Sequence, residues 1–338
     1  MDSNTIYYCL SYPLLLTRHC GNVCGYCSYP LTQRSPLPSR KTLQREIQKA
    51  LSLDAVQIEL IAGENLERVP EIQKNLRYYN YNSFDEYLME LLTQLQQSTQ
   101  HRPLLSLLNV GNLDQQQLNF LRPRICAVQI LIESMDRHVS AGIAHGEAPC
   151  KEPEERLHSI LNCARLSIPI ASGMMLGIGE DDSSHLKTME ILSTVHHRYQ
   201  NIQSFEIQTF WPRPGTPMAE MPEVTPEEIF SCVEMAREIL PRGISLIVKG
   251  QEHPNLIEEL IRCGVTDLGS ISVRCQDQDE PRYWRNVLHL AQAACDKLGL
   301  ELKPRLPLHK QFCNDHYYSN DHSPRIETAL QRLKKLTA

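Results

Sequence analysis

The chain has 338 residues, is 41% hydrophobic, carries a formal net charge of −6 and contains 12 cysteines. This length and apolar fraction support a large core, while the acidic balance argues against nucleic acid or an anionic membrane surface as partner. No apolar run nears the roughly 20 residues of a bilayer span, and the start M-D-S-N-T lacks a basic and apolar signal segment. Many cysteines without a secretory signal point to reduced thiols and metal in a cytoplasmic protein rather than to disulfides.

Along the chain, apolar runs with strand character alternate with amphipathic stretches. Strands are expected at Tyr7 to Leu16, Ala55 to Ala62, Leu104 to Leu108 and Ile125 to Ile132. Four more are expected at Ile168 to Leu176, Ile202 to Thr209, Ile244 to Val248 and Thr266 to Gly269. Helices are expected between and after them, beginning with Lys41 to Ser52 and ending with Arg282 to Leu298. Glu67 to Tyr81, polar and rich in Tyr and Asn, reads as an extended loop over the barrel mouth. Alternating strand and helix implies a parallel sheet with helices outside. Eight such units suggest an α/β fold of the TIM-type (β/α)8 kind, whose active-site groups gather at the C-terminal ends of the strands. Residues 1–307 would form this barrel, and 308–338 a polar, His-containing tail ending in a short basic helix.

The loop after the first strand holds the most specific motif. Cys20, Cys24 and Cys27 stand in C-G-N-V-C-G-Y-C. A cubane [4Fe–4S] cluster is normally closed by four thiolates. Three at this spacing leave one iron open to a small molecule. A zinc knuckle would want a fourth Cys or His at short spacing, and His19 is poorly placed to share the metal of the adjacent Cys20. Cys263, Cys275 and Cys313 match no second-cluster spacing, and the other cysteines read as small hydrophobes.

Further candidates lie where strands end. Gly63 and Glu64 close the second strand in L-I-A-G-E, and Glu133 follows the fourth in L-I-E-S. Gly177 belongs to G-M-M-L-G-I-G-E after the fifth strand. A Rossmann reading of that loop fails on spacing, because no acidic residue follows in a βαβ unit. Asn109, Gln208 and Lys249 sit at or beyond the ends of the third, sixth and seventh strands. W-P-R-P-G-T-P-M (211–218) is a rigid loop whose prolines fix φ.

The cysteine motif resembles the signature of the radical S-adenosylmethionine (SAM) superfamily. The resemblance narrows through A-R-L-S-I-P-I-A-S-G-M-M-L-G-I-G-E (164–180), Y-Q-N-I-Q-S-F-E-I-Q-T-F-W-P-R-P-G-T-P-M (199–218) and G-V-T-D-L-G-S-I-S (264–272). These are similar to the radical SAM subunit of 7,8-didemethyl-8-hydroxy-5-deazariboflavin (FO) synthase, a coenzyme F420 and deazaflavin biosynthesis family. The resemblance implies a [4Fe–4S] cluster on Cys20, Cys24 and Cys27, with SAM held by Gly63, Glu64, Glu133 and Gly177. It implies a 5′-deoxyadenosyl radical that takes hydrogen from an adduct of a tyrosine-derived 4-hydroxybenzyl group and a ribityl-aminouracil. Ring closure and ammonia loss follow, with Asn109, Gln208 and Lys249 placed to contact the substrate. An external flavodoxin- or ferredoxin-type electron donor and a companion synthase subunit acting upstream are implied as well. Ala62 replaces the first glycine of the family's G-G-E pattern, and V-R-C-Q-D-Q-D-E-P-R-Y-W (273–284) departs from its usual sequence. The alternatives are a related radical SAM enzyme on another aromatic or heterocycle (the partner synthase subunit, a menaquinone-pathway cyclase or a tyrosine lyase), or a non-catalytic iron–sulfur sensor.

Overall fold

The computed structural model describes residues 4–31, 36–274, 283–318 and 322–336. Its strands β1 (Thr5–Leu15), β2 (Gln57–Ile61), β3 (Leu105–Asn109), β4 (Ala127–Gln129), β5 (Ile170–Leu176), β6 (Ile202–Thr209), β7 (Ser245–Ile247) and β8 (Asp267–Ser272) follow one another around a ring. β8 pairs back onto β1, and every pairing is parallel. This is the expected TIM-type barrel. Cys275 and most of the divergent stretch after β8 lie outside the described residues.

A ninth strand, β9 (Glu301–Pro304), was not expected from the sequence. Thr5–Tyr8 of β1 pair with β9, and Ser11–Leu15 of the same strand pair with β2. One edge of the 11-residue β1 thus serves two partners in turn. E-L-K-P shows no buried alternation to betray it.

The connecting helices are α1 (Arg40–Ser52), α2 (Pro70–Tyr78), α3 (Phe84–Ser98), α4 (Gln115–Leu121), α5 (Arg137–Ala141), α6 (Pro153–Arg165), α7 (Asp182–Tyr199), α8 (Pro226–Ile239), α9 (Ile257–Cys263), α10 (Tyr283–Leu298) and the terminal α11 (Ser323–Leu336). Local chemistry sets their starts. Ser39, Ser83, Asp181 and Thr225 each cap an amide of the first turn, and Asp114 and Thr225 complete capping boxes. Pro153 and Pro226 stand where a missing N–H costs nothing. The loop expected over 67–81 is instead largely α2. Ile72 and Leu76, one turn apart, bury its inner face, and the polar residues that suggested a loop form its outer face.

The tail closes the end of the barrel opposite the cysteine loop. Arg305 donates to Asp267 through both Nε and Nη2. His309 Nδ1 lies 2.9 Å from Ser245 Oγ, and Gln203 donates to the Pro307 carbonyl at 2.8 Å. Asp267, Ser245 and Gln203 all stand at strand starts. Phe312, Tyr318, Ile326 and Leu333 join the apolar core. A solvated His-rich tail was expected; His316 fits it, but His309 and His322 are buried.

Candidate active site

The cysteine loop leaves β1 at the C-terminal end of the barrel and is pinned by backbone bonds. Gly21 N donates to Glu64 O at 2.6 Å, Val23 N to Glu147 O at 2.8 Å, and Gly25 N to Ala144 O at 2.8 Å. Gly63 lets β2's end approach it. A Cβ there would collide with the His19 carbonyl and lie 2.7 Å from Cys20 Cα. This closeness lets Glu64 N donate to Cys20 Sγ at 3.2 Å, with Asn22 N donating to the same sulfur at 3.4 Å. Cys20, Cys24 and Cys27 line one cavity of about 500 Å3. Burial pushes the Cys24 thiol up to about 12, against the pull of Lys151, and burial also raises Cys27. Both are held as thiols until a metal displaces the proton.

Two carboxylates and two cations face the cysteines. Glu133 has a left-handed backbone, φ +63°, and still pairs with β5: its N donates to Gly173 O at 3.2 Å, and Met175 N donates to its carbonyl at 2.9 Å. That twist at the end of β4 turns its carboxylate inward. Lys151 donates to Glu133 Oε1 and lies 3.2 Å from Glu64 Oε1, which Arg156 reaches at 2.5 Å. Tyr26 donates to Glu133 Oε2 at 2.5 Å, and His145 Nε2 lies 3.0 Å from that oxygen. Burial opposes ionisation of both carboxyls. Lys151 and Arg156 outweigh it at Glu64, and Lys151 and His145 hold Glu133 well below the usual range.

The residues fit a [4Fe–4S] cluster with SAM on its open iron. Both contacts to Glu64 fall on Oε1, so its buried Oε2 has no hydrogen-bond partner; neither has the buried Arg156 Nε. Two carboxylates and two cations sum to no charge, which suits the zwitterionic end of an amino acid. Among the described residues, no three His, Cys, Asp or Glu converge on a single ion. A cubane takes its thiolates on separate irons, so this donor set suits a cluster better than zinc.

Of the residues singled out in the sequence, Gly63, Glu64, Asn109, Glu133, Gln208 and Lys249 line this cavity with the cysteines. Gly177 does not. Its φ is +93°, a Cβ would strike Val224, and its N–H is capped by Glu180 beside Ile178. It shapes the loop after β5 rather than the cavity wall. Lys151 and Arg156 were not foreseen. They stand in an ordinary-looking amphipathic segment, and nothing local marks them as buried. A second cavity, of about 1310 Å3, runs into the first at Gln208, Thr209, Trp211, Arg213 and Lys249.

Comparisons with known proteins agree with this geometry. No protein-family model matches the chain. It is 31% identical over 323 residues to the 7,8-didemethyl-8-hydroxy-5-deazariboflavin synthase of Methanococcoides burtonii, covering 94% of this chain and 93% of that protein. The synthase of Methanosarcina acetivorans is 32% identical over 328 residues, with 94% and 93% covered. Among solved structures, the FeFe-hydrogenase maturase HydG from Carboxydothermus hydrogenoformans superposes with a TM-score of 0.70 at 18% identity, over 98% of this chain and 79% of that one. Methylornithine synthase (PylB) does so with a TM-score of 0.64 at 15% identity, over 89% and 84%. These two share the barrel. The extent and level of identity to the synthases settle the family: the chain belongs to the 7,8-didemethyl-8-hydroxy-5-deazariboflavin synthases, within the radical SAM enzymes.

Proposed function

We propose that this protein forms 7,8-didemethyl-8-hydroxy-5-deazariboflavin from the hydroxybenzyl–ribitylaminouracil adduct, acting as a carbon–nitrogen lyase. The observation that carries the reading is the joining of two cavities at Gln208 and Lys249. One holds three thiols and a balanced set of charges, and the other is a large polar chamber. Cys20, Cys24 and Cys27 would hold the cluster and the Glu64–Arg156–Lys151–Glu133 group would hold SAM, which together would supply hydrogen-atom abstraction on one-electron reduction.

The chain's own groups do the rest. Lys151 and Arg156 take a carboxylate, and Glu64 Oε2 takes an ammonium. Tyr26 and His145 hold Glu133 toward them. Gln208 offers both a donor and an acceptor to a uracil edge. A reactive carbon radical is controlled by fixing one C–H beside it and excluding water. One hydrogen atom is removed, the ring closes, ammonia leaves, and the remaining substrate radical gives up one further electron and a proton. The adduct is thus oxidised by two electrons overall, matched by reductive cleavage of SAM to 5′-deoxyadenosine and methionine. An external one-electron donor of flavodoxin or ferredoxin type starts the reaction, with a companion subunit supplying the adduct. Every described cysteine is free, which suits the reducing cytoplasm, and no helix among the described residues is long and apolar enough to cross a membrane.

Anaerobic turnover tests the proposal. Reconstituted protein should bind about four iron and four sulfide. With reductant, SAM and the adduct it should release 5′-deoxyadenosine, methionine, ammonia and a blue-fluorescent deazaflavin. Cys24→Ala should lose iron and all products. SAM cleavage without deazaflavin would reject the substrate and leave the cofactor reading in place.

A further inference from the structure

A closed barrel usually fills its axis with layers of bulky branched side chains. Here part of the wall is polar instead: Ser11 on β1, Glu59 on β2 and Ser270 on β8 line the larger cavity.

The hydrogen bonding of this wall is directional. Gln57 Nε2 donates to Ser11 Oγ at 2.8 Å and to Ser270 Oγ at 3.0 Å. The Cys9 thiol donates to Gln57 Oε1 at 3.4 Å, which fixes which way the amide faces. Both amide hydrogens are therefore spent on the serines. Each serine oxygen is already an acceptor, so its own O–H is left to donate. Glu59 Oε1 accepts from Asn109 Nδ2 at 2.9 Å, which leaves Oε2 as an acceptor. The Lys249 ammonium is taken by Glu206 at 2.9 Å and Glu252 at 3.5 Å. The wall thus sets two hydroxyl donors beside a carboxylate acceptor.

We propose that Ser11, Ser270 and Glu59 form a polyol subsite, which takes the hydroxylated chain of the substrate down the barrel axis while its ring system stays at Gln208 and Lys249. A sugar-alcohol hydroxyl both donates and accepts, which matches a wall of alternating donors and acceptor. An apolar tail would strand these groups without partners. The assignment rests on the deazaflavin reading, whose substrate carries a ribityl chain. It explains why Gln57 is buried where a barrel would place an aliphatic side chain.

The test measures binding to cluster-loaded protein without reductant. It uses two ligands: the ribityl adduct, and the same adduct with N-methyl in place of ribityl. Wild type should prefer the ribityl ligand by about tenfold or more. Glu59→Gln, and separately the milder Ser270→Ala, should erase most of that preference by weakening the ribityl ligand alone. Equal weakening of both ligands, or an unchanged preference in both variants, would overturn the subsite. If wild type turns the adduct over to deazaflavin while showing no preference, the subsite falls and the functional reading stands. If wild type makes no deazaflavin, both fall.

Discussion

Arg156 donates to the Glu64 carboxylate at 2.5 Å across 92 residues of chain, joining the first turn of α6 to the end of β2. Glu64 also gives its backbone N–H to Cys20. The cation that we propose takes a SAM carboxylate is thereby tied to the loop that carries Cys20, Cys24 and Cys27. On that proposal, the residues that would hold the cluster and those that would hold SAM are joined by one connected set of bonds.

Removing a carboxylate from this set should uncouple it. Glu133→Ala should weaken SAM binding by roughly 1.5–3 kcal/mol, the worth of a charge-assisted hydrogen bond, while iron content stays the same. It also leaves Lys151 buried with one carboxylate fewer, at a cost of about 3–5 kcal/mol in stability. Glu133→Gln combined with Lys151→Met should recover part of that stability and none of the SAM affinity. Calorimetric titration with SAM and urea unfolding read the two effects separately. An unchanged SAM dissociation constant in Glu133→Ala would assign the residue to structure alone.

Gly63→Ala should damage the cluster more than the fold. The added methyl meets the His19 carbonyl and the Cys20 backbone, both rigid, so the cysteine loop has to shift. Overpacking of this kind costs about 1–3 kcal/mol, a modest loss for a barrel of this size. The displaced Cys20 sulfur loses its bond from Glu64 N and its register with Cys24 and Cys27. Iron analysis and the absorbance of the reconstituted protein should both fall, with far-UV circular dichroism unchanged. Full iron loading would show that the loop tolerates the shift.

The base of the barrel sets an acid limit on stability. Burial, followed by the nearby Arg305 charge, holds His309 well below its ordinary value. The unfolded chain takes up this proton below about pH 6.5, and the folded chain does not until far lower. His309 therefore favours folding most above pH 6.5. Its contribution is lost as pH falls, by up to about 1.4 kcal/mol per unit. His309→Gln should flatten the fall in urea-unfolding free energy between pH 7.5 and pH 5.5. An identical slope in variant and wild type would assign the acid sensitivity to other groups.

What was legible in the sequence follows a physical divide. The cysteine spacing and the ends of β2, β4 and β6 are local patterns, so Cys20, Glu64, Glu133 and Gln208 could be placed on the mouth without coordinates. Ile202–Thr209 matches the expected strand residue for residue, its Ile202, Phe205 and Ile207 buried among interspersed polar residues. Lys151 and Arg156 escaped notice because their burial depends on partners far away in the chain. α2 was misread because a short helix with only two buried side chains shows mostly its polar face. Glu59 and Gln57 carry no local mark in the sequence, and only the closed barrel sets Glu59 on the cavity wall and Gln57 against Ser11 and Ser270.

The junction of the two cavities gives the sharpest functional prediction. Gln208 ends β6 and lines both cavities, and its neighbour Thr209 is held by His253 Nε2 at 2.9 Å. It does not touch the Glu64–Lys151–Glu133–Arg156 group by any described hydrogen bond. Replacing it should therefore affect the substrate and spare the cofactor. Gln208→Leu keeps the volume but removes the donor and acceptor that meet a uracil edge. Deazaflavin formation should fall by about tenfold or more, the worth of one or two lost hydrogen bonds. SAM cleavage should persist, shifting toward 5′-deoxyadenosine released without deazaflavin. The ratio of the two products, measured in one anaerobic reaction, is the readout. A parallel fall of both would place Gln208 on the cofactor side of the junction, and an unchanged ratio at full rate would remove it from substrate recognition.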